Sequence, residues 1–220
     1  MNTSFFRMAF DNMRKAGALG ALLGIVLLLA SGCSTMSSNV AKSSVNAAPP
    51  VASQQAQIIF MRPSMLGGAI QSSVYEVKND AEEFIGIVSA KTKTACNVPP
   101  GEHLFMVVGE NADFMMANVD AGKTYYVLVA PRMGVMKARF SLIPIHSDPA
   151  AKYSLAGKDF ADWNKGTEFV DQLDSARVWY KNNAASVASK RTSYLKDWNA
   201  LPASTRAEIT LLAKDGVASR

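Results

Sequence analysis

Few side chains in this sequence could carry acid–base or metal chemistry. Its 220 residues include two histidines, His103 and His146, and two cysteines, Cys33 and Cys96. The histidines lack the spacing that puts two imidazoles on one helix face, and neither has a carboxylate at a diagnostic offset. A zinc site made from both histidines and a cysteine would depend on tertiary structure alone to gather its ligands. The adjacent acids Glu82 and Glu83 read as a solvated turn rather than a paired acid and base. The sequence contains no Gly-x-Ser-x-Gly elbow, phosphate-cradling glycine loop or dinucleotide fingerprint. Cys96, in Thr94-Ala-Cys-Asn-Val-Pro-Pro-Gly101, reads as a small buried hydrophobe before a turn. The expectation is a protein that is not an enzyme, with no catalytic residue, metal or cofactor.

Cys33 is a different matter, because of what precedes it. Arg7, Arg14 and Lys15 form a positive region, Ala16 to Ala30 a short apolar core, and Ala30-Ser31-Gly32 a small-residue cleavage site. This is the three-part plan of a secretory signal, residues 1–32. The apolar run falls short of the ~20 residues that span a bilayer. Leu29-Ala-Ser-Gly-Cys33 resembles the lipobox of bacterial lipoproteins. The resemblance implies that the Cys33 thiol receives a diacylglyceryl group, that the signal is cut before it, and that the new amino terminus is acylated. Ser34, where an Asp would resemble an inner-membrane retention signal, implies the periplasmic face of the outer membrane. Several acyl chains at ~0.8 kcal/mol per buried methylene anchor a protein permanently. Without the lipid, the chain would be an ordinary secreted protein and Cys33–Cys96 its natural disulfide.

Charge narrows the partners. The net charge is +5, part of it carried by the signal; residues 57–150 are close to neutral and 151–220 mildly basic. No dense basic run with interleaved aromatics occurs, so nucleic acid is not an expected partner. Residues 33–56 are rich in Ser, Ala, Asn and Pro, with no apolar periodicity, and read as a flexible tether.

From 57 to 146 the period is that of strands. Runs at Gln57–Arg62, Ser73–Lys78, Phe84–Ser89, Thr92–Val98, His103–Gly109, Phe114–Val119, Thr124–Ala130 and Lys137–Ile145 are separated by turn chemistry such as Pro99-Pro100-Gly101. No crossover-length helix lies between them, which predicts an antiparallel β-sandwich, with an up-and-down barrel as competitor. Asp120 and Gly122 suit a hairpin turn, and Tyr125 and Tyr126 should point to opposite faces. Arg62-Pro63, Pro99 to His103, and Asp120 to Val127 together resemble a family of small bacterial lipoproteins with a domain of unknown function. That resemblance implies a β-domain at the envelope and transfers no catalytic residues.

After Pro149 the period becomes helical. Apolar residues at three- and four-residue steps predict one long amphipathic helix from Glu168 to Asn199, within a helical extension over 150–216. The predicted fold is therefore mainly β with appended α: an antiparallel β-sandwich followed by a long C-terminal amphipathic helix. Trp179 and Trp198 on the helix, and Met133 and Met136 in the Pro131–Met136 loop, are candidate partner contacts; packing onto the sheet and core filling are the competing readings. Three functions follow. The first is a noncatalytic lipid-anchored protein that binds or scaffolds an envelope protein. The others are a binding module for peptidoglycan or a small ligand, and an unrecognised hydrolase.

Overall fold

A computed structural model describes residues 37–68, 70–133 and 138–219. The signal 1–32, Cys33 and Met136 lie outside the described residues, as does the side chain of Met133. The eight expected strands are all present: β2 (Ala56–Arg62), β3 (Ser72–Lys78), β4 (Ala81–Val88), β5 (Thr92–Val98), β6 (Gly101–Val108), β7 (Ala112–Val119), β8 (Lys123–Met133) and β9 (Ala138–Pro144). Three strands were not expected: β1 (Val40–Lys42), β10 (Glu168–Gln172) and β11 (Val217–Ala218).

The strands form two facing sheets. One is antiparallel, in the order β4-β3-β6-β7; the other runs β1-β10-β5-β2-β8-β11, with β9 also on β8. The second sheet is mixed, since β2–β8 and β10–β5 are parallel pairs. The expectation of a wholly antiparallel sandwich is corrected here. A parallel pair needs a long connection, and the entire antiparallel sheet supplies it between β2 and β8. The Asp120–Gly122 turn accordingly crosses between sheets instead of closing a hairpin, with Gly122 at φ +72°. A left-handed conformation of that kind suits glycine.

Alternation places the core. Ile58, Phe60, Val127 and Val129 face Val74, Phe105, Val107 and Met115 across the sandwich, and Phe60 meets Phe105 edge-on at 5.4 Å. Tyr125 is buried in this core while Tyr126 lies on the opposite face against Phe160. Strand β2 is buried on both faces because it lies mid-sheet with further layers over its outer side.

Side chains substitute for strands along the seams between the sheets. The Asn111 Oδ1 accepts from the Phe140 amide at 3.0 Å while its Nδ2 donates to the Phe140 carbonyl at 3.1 Å. The Leu142 amide donates to Asp113 Oδ2 at 3.2 Å, and Leu211 continues the edge of β7 through backbone bonds to Met116 and Asn118. On the other side, the Gln172 amide pairs with both backbone groups of Ile87 at 2.8 and 3.1 Å. Gly86 permits this, since a Cβ there would lie 2.7 Å from Gln172 Cδ.

The helices cover the outer faces. Helix α1 (Lys158–Lys165) lies beside the mixed sheet, α2 (Asp174–Ala200) packs on the antiparallel sheet, and α3 (Ala203–Glu208) follows. Helix α2 starts later than the sequence suggested, because Glu168–Gln172 is strand and Leu173 is extended. Its 27 residues give a length of about 40 Å. Val187, Tyr180 and Trp198 pack on Tyr75, Met106 and Phe114, and Arg191 pairs with Glu82 at 2.8 Å. Glu82 is therefore a buried ion-pair member, not a solvated turn residue.

The expected division into a tether, a β-domain and a separate helical extension also changes. Val40 is buried and β1 pairs antiparallel with β10, so the flexible tether expected over 33–56 is replaced, from residue 37 onward, by chain fixed to the body. Hydrogen bonds to the body offset the ordering entropy that its composition cannot. Strands β10 and β11 likewise bring residues of 150–216 and beyond into the mixed sheet.

Candidate functional site

Both histidines have carboxylate partners that sequence spacing did not reveal. His103, on β6, has Nδ1 2.6 Å from Glu76 Oε1 on β3, and Nε2 2.9 Å from the Pro99 carbonyl. A carbonyl only accepts, so Nε2 carries a proton, and the bond to Glu76 favours a second on Nδ1. That bond pushes the His103 pKa up, against the opposing effect of burial. Burial pushes Glu76 up, but hydrogen bonds from His103 and Lys78 outweigh it and leave the carboxyl below its usual value. Both ring nitrogens are engaged by fixed partners, which gives this pair a structural role.

His146 has Nδ1 2.9 Å from Asp215 Oδ2. Asp215 is fully buried and also accepts from the Ser147 amide and hydroxyl and the Leu212 amide. Burial pushes Asp215 up; the backbone bonds and His146 together bring it below the usual range. The Ser147 hydroxyl donates to Asp215 Oδ1 at 3.2 Å. The cluster ties the 213–215 turn to the end of β9. Among the described residues, no three His, Cys, Asp or Glu side chains gather as metal ligands. Cys96 is half-buried in β5, and burial pushes its thiol well up, which opposes thiolate chemistry.

The candidate partner contacts fare unequally. Trp198 is 6% exposed and packs against Phe114, so it is a core residue of the helix–sheet interface and not a docking anchor. Trp179 is half-buried against Ile87 and Ala176. The helix faces its sheet along its length, and this removes the overhang on which the expectation rested.

A cleft lies on the outer face of the mixed sheet instead. Outward alternation places Gln57, Ile59, Lys93, Thr124 and Tyr126 on its floor, with a volume of about 820 Å³. Its wall is the segment Ala47–Val51, suspended by side-chain amides: Gln57 Nε2 donates to the Pro49 carbonyl at 2.8 Å, and Asn97 Nδ2 to the Pro50 carbonyl at 2.9 Å. Two prolines suit a wall segment because neither has an N–H to satisfy.

Lys93 is the unusual member. It is 6% exposed. Its ammonium donates to the Asn164 carbonyl at 2.8 Å and Asn164 Oδ1 at 2.7 Å, and lies 4.8 Å from the Phe169 ring centre. Burial lowers its pKa, and burial is the sole cause acting on it. Among the described residues no carboxylate forms an ion pair with it. A desolvated cation without a counter-charge is costly unless something else supplies one. Sequence reasoning passed over Lys93 because a lone lysine in a strand is an ordinary exposed residue; only β10, α1 and the 47–51 segment bury it.

No protein-family model matches the chain, and no curated protein is similar to it. Among solved structures, an NMR structure of a protein from Eubacterium rectale matches with a TM-score of 0.28 at 11% identity, covering 45% of this chain and 92% of that one. A likeness this slight carries no argument about fold or function.

Proposed function

We propose that the chain is a noncatalytic, lipid-anchored protein of the periplasmic face of the outer membrane, whose body is a binding module for an acidic ligand. Lys93 carries this reading: a buried ammonium, unpaired by any described carboxylate, at the floor of a cleft large enough for a drug-sized molecule. The cleft combines convergent polar groups, Gln57, Lys93 and Thr124, with the apolar Ile59 and Phe169, and a concave site with a few placed polar groups is the usual form of a small-ligand site. The ligand carboxylate would accept from the Lys93 ammonium, the Asn164 amide nitrogen would fix its orientation, and Ile59 and Phe169 would cover its apolar part. Peptidoglycan stem peptides carry such carboxylates and lie within reach of an anchored protein. The burial of Trp198 favours this module over a scaffold that docks through its helix.

Titration calorimetry with soluble muropeptides tests the site. Wild-type protein should bind, and Lys93→Met should weaken binding at least about tenfold, the loss of one charge-assisted hydrogen bond, with little change in thermal stability. Absence of binding to muropeptides and to intact sacculi would sink the module. Mass spectrometry of the mature N-terminus tests the anchor separately; an unmodified Cys33 removes it.

A further inference from the structure

If the anchor is where the body meets the membrane, the orientation of the body is readable, because the first described residue is fixed to one end of the sandwich. The Ser37 amide donates to Ser89 Oγ at 2.8 Å, and its hydroxyl donates to Gln71 Oε1 at 2.8 Å. Ser89 lies in the β4–β5 turn and Gln71 just before β3. Lys91 in the same turn donates its amide to the Arg62 carbonyl, which places the end of β2 and the 63–68 loop there too. Cys33 precedes Ser37 by four residues, a reach of at most about 14 Å. A lipid on Cys33 therefore leaves the body little choice of which end lies nearest the bilayer.

That end has the surface for it. Met65 and Leu66 are 49% and 47% exposed, among the few large apolar side chains of the described surface that are so exposed. They are held outward by Arg62, a fully buried guanidinium that donates to the carbonyls of Leu66, Gly67 and Ile70. Beside this loop the β8–β9 hairpin projects further. Strand β8 leaves β2 at Leu128 and runs on to Met133, about 16 Å beyond. There Arg132 and Arg139 are exposed and stand directly opposite one another. Like charges in that position destabilise a strand pair; the Asp113 carboxylate attracts Arg132, while among the described residues Arg139 has no ion-pair partner. A layer of anionic headgroups relieves the repulsion.

We propose that this end of the sandwich docks on the bilayer, with Met65 and Leu66 entering the interface and Arg132 and Arg139 meeting anionic lipid phosphates. The inference rests on the anchored reading of Cys33, and it adds an orientation: the Lys93 cleft lies on the side of the body, and the Asp120–Gly122 turn points away from the membrane. An interfacial contact combining apolar burial with basic residues is the ordinary chemistry of peripheral attachment, each arginine adding about a fivefold preference for the docked state.

The test uses the full protein purified from membranes and reconstituted in vesicles of phosphatidylethanolamine and phosphatidylglycerol with brominated acyl chains. An environment-sensitive fluorophore is placed through Leu66→Cys or, at the far end, Ala121→Cys. Bromine should quench the label at position 66 and leave that at 121 unaffected. Arg132→Glu with Arg139→Glu should lower the quenching at 66 severalfold, and omission of phosphatidylglycerol should do the same. Equal quenching at both positions, or none at 66, overturns the orientation if the mature N-terminus carries lipid. An N-terminus without lipid overturns the anchor and the orientation with it. Shielding of position 66 in cell envelopes but not in these vesicles assigns the end to a protein partner and overturns the bilayer as occupant.

Discussion

His103 and Glu76 form a buried ion pair whose charge state sets a pH window. The His103 pKa is raised above its ordinary 6.5, so its contribution to stability is complete below that value and is lost as pH rises through the higher folded value. The Glu76 pKa is lowered from its ordinary 4.5, so its contribution is present above that value and is lost as pH falls through the lower folded one. Urea unfolding at a series of pH values should show maximal stability between about 4.5 and 6.5 from this pair. Glu76→Ala should cost about 3 kcal/mol, since it strands a buried charge, and should abolish the alkaline decline attributable to His103. None of this was visible in the sequence. The two residues are 27 positions apart, and only the β3–β6 pairing brings them together. His146 and Asp215 meet by a still longer route. Cys96 read as a small buried hydrophobe before a turn, and it lies half-buried in β5.

The alternation of Gln57–Arg62 or His103–Gly109 is a local property, so those strands were legible to within a few residues. Glu168–Gln172 was not, because Phe169, Val170 and Leu173 fit a helical period as well as a strand, and only pairing with β1 and β5 decides between them. The seam made by Gln172 was equally hidden, since a glutamine that replaces a strand has no sequence signature. Gln172→Leu should leave both backbone groups of Ile87 unsatisfied, costing about 1–3 kcal/mol, and hydrogen exchange at the Ile87 amide should accelerate more than at its neighbours. For helix α2, Trp198→Ala should destabilise by about 3–5 kcal/mol in thermal unfolding. An exposed docking residue would show almost no change.

At the scale of the molecule, the mainly β class and the eight central strands were readable, while the three short strands that join the ends of the body were not. The segment 37–55 crosses the sandwich from Ser37 to Gln57, and 211–219 returns to β7 and β8. The first read as a tether by composition and the second as the end of a helical extension, yet Val40, Leu211 and Asp215 are buried. Pairing of Val40 with Gln172 and of Val217 with Thr124 has a kinetic consequence. Contacts between such distant positions raise the contact order, and domains of this kind fold in milliseconds to seconds rather than microseconds. During synthesis the β1–β10 pair cannot form until most of the chain has been made. For an exported chain, as proposed above, that delay keeps the polypeptide unfolded until it has crossed the membrane.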